Sequence, residues 1–217
     1  MITKIKSGNT NCYLLTQENT EKTVLIDAGT PLDGSFLKRL QATGALPKIR
    51  LLILTHGHYD HVGYAAELKN TFHIPIAMHR NDIEKVAHGT MDFPPARGIM
   101  SSLIRRSTLR GMDKSYYQRF TPDIVLDTQR TLPGFPEIEI IHLPGHTQGS
   151  IGVIFENNLF AGDLVMNMPI PSTSWFAENF SELRRSIEII SHFEFERIYP
   201  TVSLSCAGKL FLTLLCL

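Results

Sequence analysis

Residues 51–63, LLILTHGHYDHVG, decide the fold of this chain. An apolar run of strand length ends in three histidines and one aspartate, namely His56, His58, Asp60 and His61. Side chains two positions apart on an extended segment share a face, so His56 and His58 point to the same side. Imidazoles and a carboxylate in one loop suit Zn²⁺, iron or Mn²⁺ far better than they suit an apolar core. The stretch therefore predicts a metal site at the end of a buried strand.

The bulk composition is that of an ordinary globular protein. The chain has 217 residues, of which 43% are hydrophobic and 19% are charged, and both values are typical of soluble proteins. Lysine plus arginine equals aspartate plus glutamate at 21 each, so the formal net charge is zero. A balanced charge gives no bulk attraction to nucleic acid or to an anionic membrane. We therefore predict neither of them as a partner.

Cysteine usage and the two chain ends favour a cytoplasmic protein. The three cysteines, Cys12, Cys206 and Cys216, are an odd number without the spacing of a metal site, which fits a reducing compartment. The first residues lack the long apolar core of a signal peptide. The apolar residues 209–217 are too few to span a bilayer.

Candidate strands and helices alternate along the first half of the chain. Residues 23–26, 48–54 and 74–78 have the apolar pattern of buried strands, and helical patterns begin near Thr30 and after the histidine motif. This alternation predicts an α/β layered fold. Asp27 ends the first of these strands. Two roles are open for it, capping the turn or supporting a ligating histidine from behind.

Residues 88–120 interrupt this pattern and predict a helical insertion, with its helix near residues 99–109. Basic side chains outnumber acidic ones there: Arg97, Arg105, Arg106, Arg110, Lys114 and Arg119 against Asp92 and Asp113. One interpretation is a solvated helix face. The sharper interpretation is a lid whose arginines attract an anionic small-molecule substrate.

Two later loops carry the same chemistry as the first motif. His146 follows a predicted strand on a sharp Pro-Gly turn, and Asp163 directly follows another predicted strand. With the first motif they make six candidate ligands, which is enough for a partly open two-metal site. No repeat or low-complexity linker interrupts the sequence, so we predict one domain over residues 1–217.

The sequence resembles the metallo-β-lactamase-fold superfamily in the H-x-H-x-D-H motif at residues 56–61, the later His146 and the carboxylate of Asp163. The resemblance runs from the opening hairpin to Pro200, nearly the whole chain, and its glyoxalase II-like and general hydrolase branches are the nearest. It implies a four-layer αββα sandwich, in which two mixed β-sheets are flanked by helices. These motifs are specific for the fold and say little about the substrate.

The resemblance also implies a ligand set and a reaction. One metal is expected on His56, His58 and His146, and a second on Asp60, His61 and Asp163, which bridges both. One or two Zn²⁺ ions are expected, with iron and manganese as alternatives. The implied enzyme is a metal-dependent hydrolase that uses a metal-bound hydroxide to cleave an ester, thioester, lactone or amide bond. Asp60 is the expected catalytic residue, because it orients the nucleophile and handles its proton.

One departure from the family pattern leaves alternatives open. Family members place a last histidine just after the final strand, whereas Pro200 is followed by TVSLSC and no histidine follows His192. We treat residues 201–217 as an atypical tail and expect weak occupancy of the second metal position. One alternative is a mononuclear-iron persulfide dioxygenase-like oxidoreductase on His56, His146 and Asp163. Another is a metal-binding protein that is inactive because its last ligand is missing.

Three further residues are weaker candidates for the same site. Tyr59 lies inside the first motif, Thr147 follows His146, and Trp175 lies one loop beyond Asp163. Each is a candidate to support a ligand or to line the substrate pocket. Packing explains each of them equally well.

Overall fold

Two mixed six-stranded sheets organise the computed structural model of this protein. The structure describes residues 1–17, 22–89, 93–109, 116–127, 131–167, 171–202 and 206–208. It divides into two compact units, and each sheet belongs to one of them. Unit 1 comprises residues 1–91 and 111–126, and unit 2 comprises residues 92–110 and 127–217.

The sheet of unit 1 has its strands in chain order. They are β1 (Ile2–Ser7), β2 (Thr10–Thr16), β3 (Thr23–Ile26), β4 (Ile49–Ile53), β5 (Ile76–His79) and β6 (Ile124–Leu126). The first three strands pair antiparallel, whereas β3 through β6 pair parallel. The parallel strands β3 and β4 end at the same edge of the sheet. Asp27 and Thr55, which follow these two strands closely, therefore come together there.

Four α-helices lie in the described part of unit 1, besides two short 3-10 helices at Leu46–Lys48 and Arg80–Asp82. They are α1 (Phe36–Ala42), α2 (Tyr59–Val62), α3 (Ala65–Phe72) and α4 (Ile83–His88). The predicted helix start at Thr30 is wrong: the Thr30 N–H donates to Ser7 Oγ and the Thr30 hydroxyl accepts from the Leu32 N–H, so a turn forms first.

The helix predicted after the histidine motif is α3, and the shorter α2 precedes it within the motif, with Gly63 between them. The Gly63 N–H donates to the Gly29 carbonyl over 2.8 Å, and the Tyr64 N–H donates to the Ala28 carbonyl over 3.1 Å. A Cβ atom at Gly63 would lie 2.5 Å from the Gly29 oxygen. Only glycine therefore allows the backbone after the motif to approach the loop after β3 so closely.

The sheet of unit 2 has the strand order β14-β13-β10-β9-β8-β7. Its strands are β7 (Thr131–Leu132), β8 (Phe135–His142), β9 (Ile151–Phe155), β10 (Asn158–Gly162), β13 (Arg197–Pro200) and β14 (Cys206–Ala207). Strands β10 and β13 are parallel, and the other pairs are antiparallel. The turn between β9 and β10 lies on Glu156 and Asn157, both with positive φ. This turn matches a two-residue hairpin turn.

The described residues of unit 2 also include two α-helices and a small hairpin. Helix α5 (Ile99–Leu109) has the predicted bounds, and β11 (Val165–Asn167) pairs with β12 (Pro171–Thr173). Helix α6 (Phe180–Ser191) begins after Asn179, because the Asn179 side chain accepts hydrogen bonds from the first helical N–H groups. The insertion residues Asp92, Arg110, Asp113 and Lys114 and most of the predicted tail lie outside the described residues.

The predicted α/β class, with two mixed sheets and flanking helices, is confirmed. Each unit has its own apolar core, of β-strand and helix side chains. In the described parts of the chain, no helix combines the length and the apolar character needed to cross a membrane.

Candidate metal centre

Three imidazoles of the first motif form a buried cluster in unit 1. His56, His58 and His61 are exposed by 1%, 3% and 0% of their surface. Nε2 of His56 lies 3.1 Å from Nδ1 of His58, and the ring centroids of His56 and His61 are 3.9 Å apart. The sharp turn from β4 into α2 produces this approach, since His58 is the last extended residue before the helix.

Asp27 fixes this cluster from the sheet side. One of its oxygens lies 2.8 Å from His61 Nδ1, and the other accepts the Thr55 N–H over 2.8 Å. The Thr55 hydroxyl contacts both carboxylate oxygens and also lies 3.1 Å from His56 Nδ1. Asp27 itself is fully buried. The aspartate thus contacts one candidate ligand directly and a second one through Thr55, as the supporting role requires.

These contacts fix which ring nitrogens carry hydrogen. A carboxylate only accepts hydrogen bonds, so His61 must donate through Nδ1–H. The Thr55 hydroxyl donates to Asp27, so its oxygen accepts from Nδ1–H of His56. In the neutral form of each ring Nε2 is then the lone-pair nitrogen, which is the form that binds metals.

Asp60 is the accessible carboxylate of the motif. Its side chain is 26% exposed, whereas the His61 side chain is fully buried. One Asp60 oxygen lies 3.8 Å from His61 Nε2 and accepts a hydrogen bond from the Thr10 hydroxyl over 3.2 Å. This oxygen is held on the first turn of α2, beside the imidazoles and within reach of solvent.

Burial near these groups also raises the pKa of the Cys12 thiol well above its ordinary value, and the negative charge of Asp27 adds to the rise. Cys12 is fully buried on β2. A thiol held protonated in this way is a poor metal ligand, because metals bind the thiolate. Cys12 is therefore a core residue of unit 1 and not a candidate ligand.

In unit 2, a loop after β8 holds His146. Its Nδ1 lies 2.8 Å from the carbonyl oxygen of Phe176, and Ser174 Oγ lies 3.3 Å from the same nitrogen. A carbonyl only accepts, so His146 carries hydrogen on Nδ1, and in the neutral ring Nε2 is the lone-pair nitrogen. That Nε2 lies 3.6 Å from an oxygen of Asp163. Unit 2 thus brings together the two candidate ligands that sequence analysis placed on separate loops.

Gly145 allows the His146 loop to lie against helix α6. Its φ is +131°, and an added Cβ atom would lie 2.2 Å from the Leu183 nitrogen. We expect Gly145→Ala to destabilise the protein by about 2–4 kcal/mol, because both the backbone conformation and the contact exclude a side chain. Urea unfolding measures this loss. Gly134→Ala is the matched control for positive φ, since its φ is +83° with nothing within 4 Å. Equal losses in the two variants would contradict the contact argument.

The other oxygen of Asp163 accepts a hydrogen bond from the hydroxyl of Thr201. Thr201 is buried directly after β13, and its N–H donates to the Gly162 carbonyl over 3.3 Å. Here the sequence departs from the family pattern, and a hydroxyl contacts the carboxylate. His192 is exposed at the C-terminal cap of α6, as expected for a residue of that helix.

The weaker candidates have separate surroundings. Tyr59 is partly buried and packs against the core of unit 1. Thr147 is fully buried, and its N–H and hydroxyl both contact Ser150 Oγ, which stabilises the turn after His146. Trp175 is partly buried and lines a cavity of about 150 Å³ with the start of α5.

Sequence analysis missed several supporting residues. Asp82 is fully buried and accepts the Gly57 N–H over 2.9 Å, which anchors the loop between His56 and His58. Thr10, Thr55, Ser174 and the Phe176 carbonyl were missed as well. Asp82 follows the polar residues Arg80 and Asn81, so its burial was not visible in the sequence. The carbonyl of Phe176 belongs to the backbone, and a sequence pattern does not indicate which carbonyl a side chain will contact.

A model of the metallo-beta-lactamase superfamily matches residues 5–202 of this chain. The chain belongs to that superfamily. Two solved structures share the fold of this superfamily member. A B3 metallo-beta-lactamase, BLEG-1, superposes with a TM-score of 0.74 at 20% identity, over 96% of this chain and 94% of the other. TTHA1623, crystallised in a di-iron-bound form, has a TM-score of 0.69 at 22% identity, over 97% and 96%.

Curated relatives of this superfamily member include metallo-hydrolases. A probable metallo-hydrolase of Methanocaldococcus jannaschii is 27% identical over 88% of this chain and 86% of its own length. The hydroxyacylglutathione hydrolase GloC of Haemophilus influenzae is 29% identical over 82% and 76%. The probable metallo-hydrolase YflN of Bacillus subtilis is 30% identical over 67% of this chain but only 56% of its own length. Membership supports a metal-dependent hydrolase in general.

Proposed function

We propose that this protein hydrolyses a thioester or a related ester, lactone or amide of a small molecule with one or two bound metal ions. His56, His58 and His146 would hold the first ion. Asp60, His61 and Asp163 would hold the second, with Asp163 shared. The family match from residue 5 to residue 202 includes the histidine motif at residues 56–61 as well as His146 and Asp163. This supports the use of all these residues in one metal centre.

The observation that carries the proposal is the hydrogen bonding of the ring nitrogens. His56, His61 and His146 each use Nδ1 toward a protein acceptor and present Nε2 as a lone-pair nitrogen. Several buried imidazoles prepared in this way, together with a carboxylate, fit Zn²⁺, iron or Mn²⁺. A bound ion of this class lowers the pKa of water toward 7 and polarises a carbonyl oxygen.

The residues of this chain have distinct tasks in such a reaction. Asp60, held by the Thr10 hydroxyl and partly open to solvent, orients the attacking water and accepts its proton. Asp27 keeps His61 in the required tautomer and orientation. Thioesters come first among the substrates because one relative is named a hydroxyacylglutathione hydrolase.

A substrate panel tests this proposal. Purified protein is stripped with a chelator, reloaded with zinc, iron or manganese, and assayed on thioester, lactone, phosphodiester and β-lactam compounds. We expect thioester hydrolysis that is lost on stripping and restored by metal. Oxygen consumption with glutathione persulfide and no hydrolysis would instead establish the dioxygenase alternative. Tight metal binding without either reaction would establish an inactive metal-binding protein.

The Thr201 hydroxyl is expected to tune the metal affinity through Asp163. Thr201→Val keeps the shape of the side chain but removes the donor to the carboxylate. Loss of such a supporting hydrogen bond weakens metal binding by about 10- to 100-fold, which competition with a chelating dye measures. Thr201→Ser retains the hydroxyl and should keep the wild-type affinity. Equal zinc affinities in wild type and Thr201→Val would refute this role.

A further inference from the structure

The helical insertion carries a basic and apolar surface that the metal chemistry does not use. Residues 93–109 include Arg97, Arg105 and Arg106 and no acidic residue. The apolar side chains of Ile99 and Leu103 on α5 are nevertheless exposed, by 85% and 59%. Positive charge attracts an anionic group, and exposed apolar surface contacts an alkyl chain. This short segment therefore suits an organic anion that has both.

The arginines of α5 border a cavity. It has a volume of about 590 Å³ and is lined by Pro95, Ala96, Ser102, Arg105, Arg106 and Leu109. The volume lies within the range of small-molecule sites. Arg105 is fixed in place, because its guanidinium donates to the carbonyls of Phe93 and Pro94 over 3.0 and 2.9 Å. Arg106 is exposed at the same cavity.

The cavity wall is hydrogen-bonded to the segment that contains Phe176, whose carbonyl orients His146. Ala96 pairs with Phe176 in an isolated antiparallel bridge, and the N–H of Ala177 donates to the Pro95 carbonyl over 3.1 Å. The ring of Phe93 also packs edge-on against that of Phe176, at 5.1 Å between centroids. Phe176 supplies the carbonyl that accepts from His146. A ligand in the cavity would therefore contact a segment that is paired directly with Phe176, the residue that supports a candidate metal ligand.

We propose that the cavity bordered by Arg105 and Arg106 binds the anionic group of an amphipathic carboxylate, whose alkyl chain lies on the exposed apolar face of α5. The guanidinium groups supply charge and fixed hydrogen-bond donors to a carboxylate. Leu109 and Pro95 supply the apolar wall of the same cavity. That this ligand is the carboxylate released by hydrolysis of the substrate rests on the proposed hydrolase function, whereas the binding itself does not.

The single tryptophan of the chain gives a direct readout of binding. The Trp175 carbonyl accepts the N–H of Arg97 over 2.9 Å, and the Trp175 side chain lines the neighbouring cavity with Ile99 and Met100. Octanoate is the probe and 1-octanol is the neutral comparison of equal chain length. We expect a saturable change in Trp175 fluorescence with octanoate and a dissociation constant at least about fivefold weaker with 1-octanol.

Two variants complete the test. Arg106→Gln should weaken octanoate binding by about fivefold or more, whereas Arg184→Gln, at an exposed arginine of α6, should leave it unchanged. Equal binding of octanoate and 1-octanol, equal effects of the two variants, or no saturable change would overturn the proposal. This titration needs no turnover, so octanoate binding without hydrolysis would contradict only the proposed reaction. Hydrolysis without selective octanoate binding would contradict only the proposed carboxylate site at Arg105 and Arg106.

Discussion

Asp60→Asn is expected to reduce kcat for hydrolysis by about 10²- to 10⁴-fold, the usual contribution of a positioned general base. Asparagine keeps the hydrogen bond from Thr10 but has no negative charge to accept a proton from water. The Asp60 side chain is 26% exposed, so the substitution should change the melting temperature little. Initial rates on the best thioester of the panel, with metal content measured on the same sample, test the effect.

The matched control is Asp123→Asn, a carboxylate of unit 1 on the loop before β6. Asp123 accepts the Ile76 N–H and contacts Lys69 at 2.8 Å, with 38% of its side chain exposed. Its removal should leave kcat unchanged. Wild-type turnover in Asp60→Asn, with the metal still bound, would disprove the role of Asp60.

Asp27→Ala is expected to lower the free energy of unfolding by about 3–5 kcal/mol, as for other buried groups that lose a charged partner. The substitution leaves the buried Thr55 N–H and hydroxyl and the His61 ring without their shared acceptor. Asp27 also has a φ of +60°, which alanine adopts less readily than aspartate. Urea unfolding followed by circular dichroism measures the loss.

The unfolding experiment is done in chelator and again with zinc, so that lost metal binding is separated from lost folding. Asp123→Ala is the control for removing an aspartate, and its exposed ion pair with Lys69 should account for at most about 1 kcal/mol. A loss in Asp27→Ala no larger than in this control, in chelator, would contradict the structural role of Asp27.

Local sequence signals predicted the main elements because they depend on short-range chemistry. The apolar run before His56 predicted β4, and the helical spacing in the insertion predicted the bounds of α5. The start near Thr30 failed because a contact with Ser7, more than twenty residues away, forms a turn there. The close approach of Gly63, between α2 and α3, to the distant Gly29 depends in the same way on the tertiary fold.

The residues of the site also divide into those that a local sequence signal predicted and those that depend on distant contacts. The dense histidine motif was visible in the sequence, and the closeness of Asp27 to His61 was one of two hypotheses that strand order alone left open. The support of His146 by Phe176 and of Asp163 by Thr201 comes from residues about 30 and 38 positions away. Such contacts depend on how strands pair and helices pack, and no local pattern encodes them.

The metal content of the purified protein tests the central claim most directly. Protein is purified without chelators and dialysed against trace zinc and then against metal-free buffer. Inductively coupled plasma mass spectrometry then measures the number of metal ions per chain. We expect at least one retained ion per chain in the wild type and none in His56→Ala or His146→Ala, while Arg184→Gln keeps the wild-type ratio. A wild type that retains no ion, or ions retained undiminished in both histidine variants, would contradict the account.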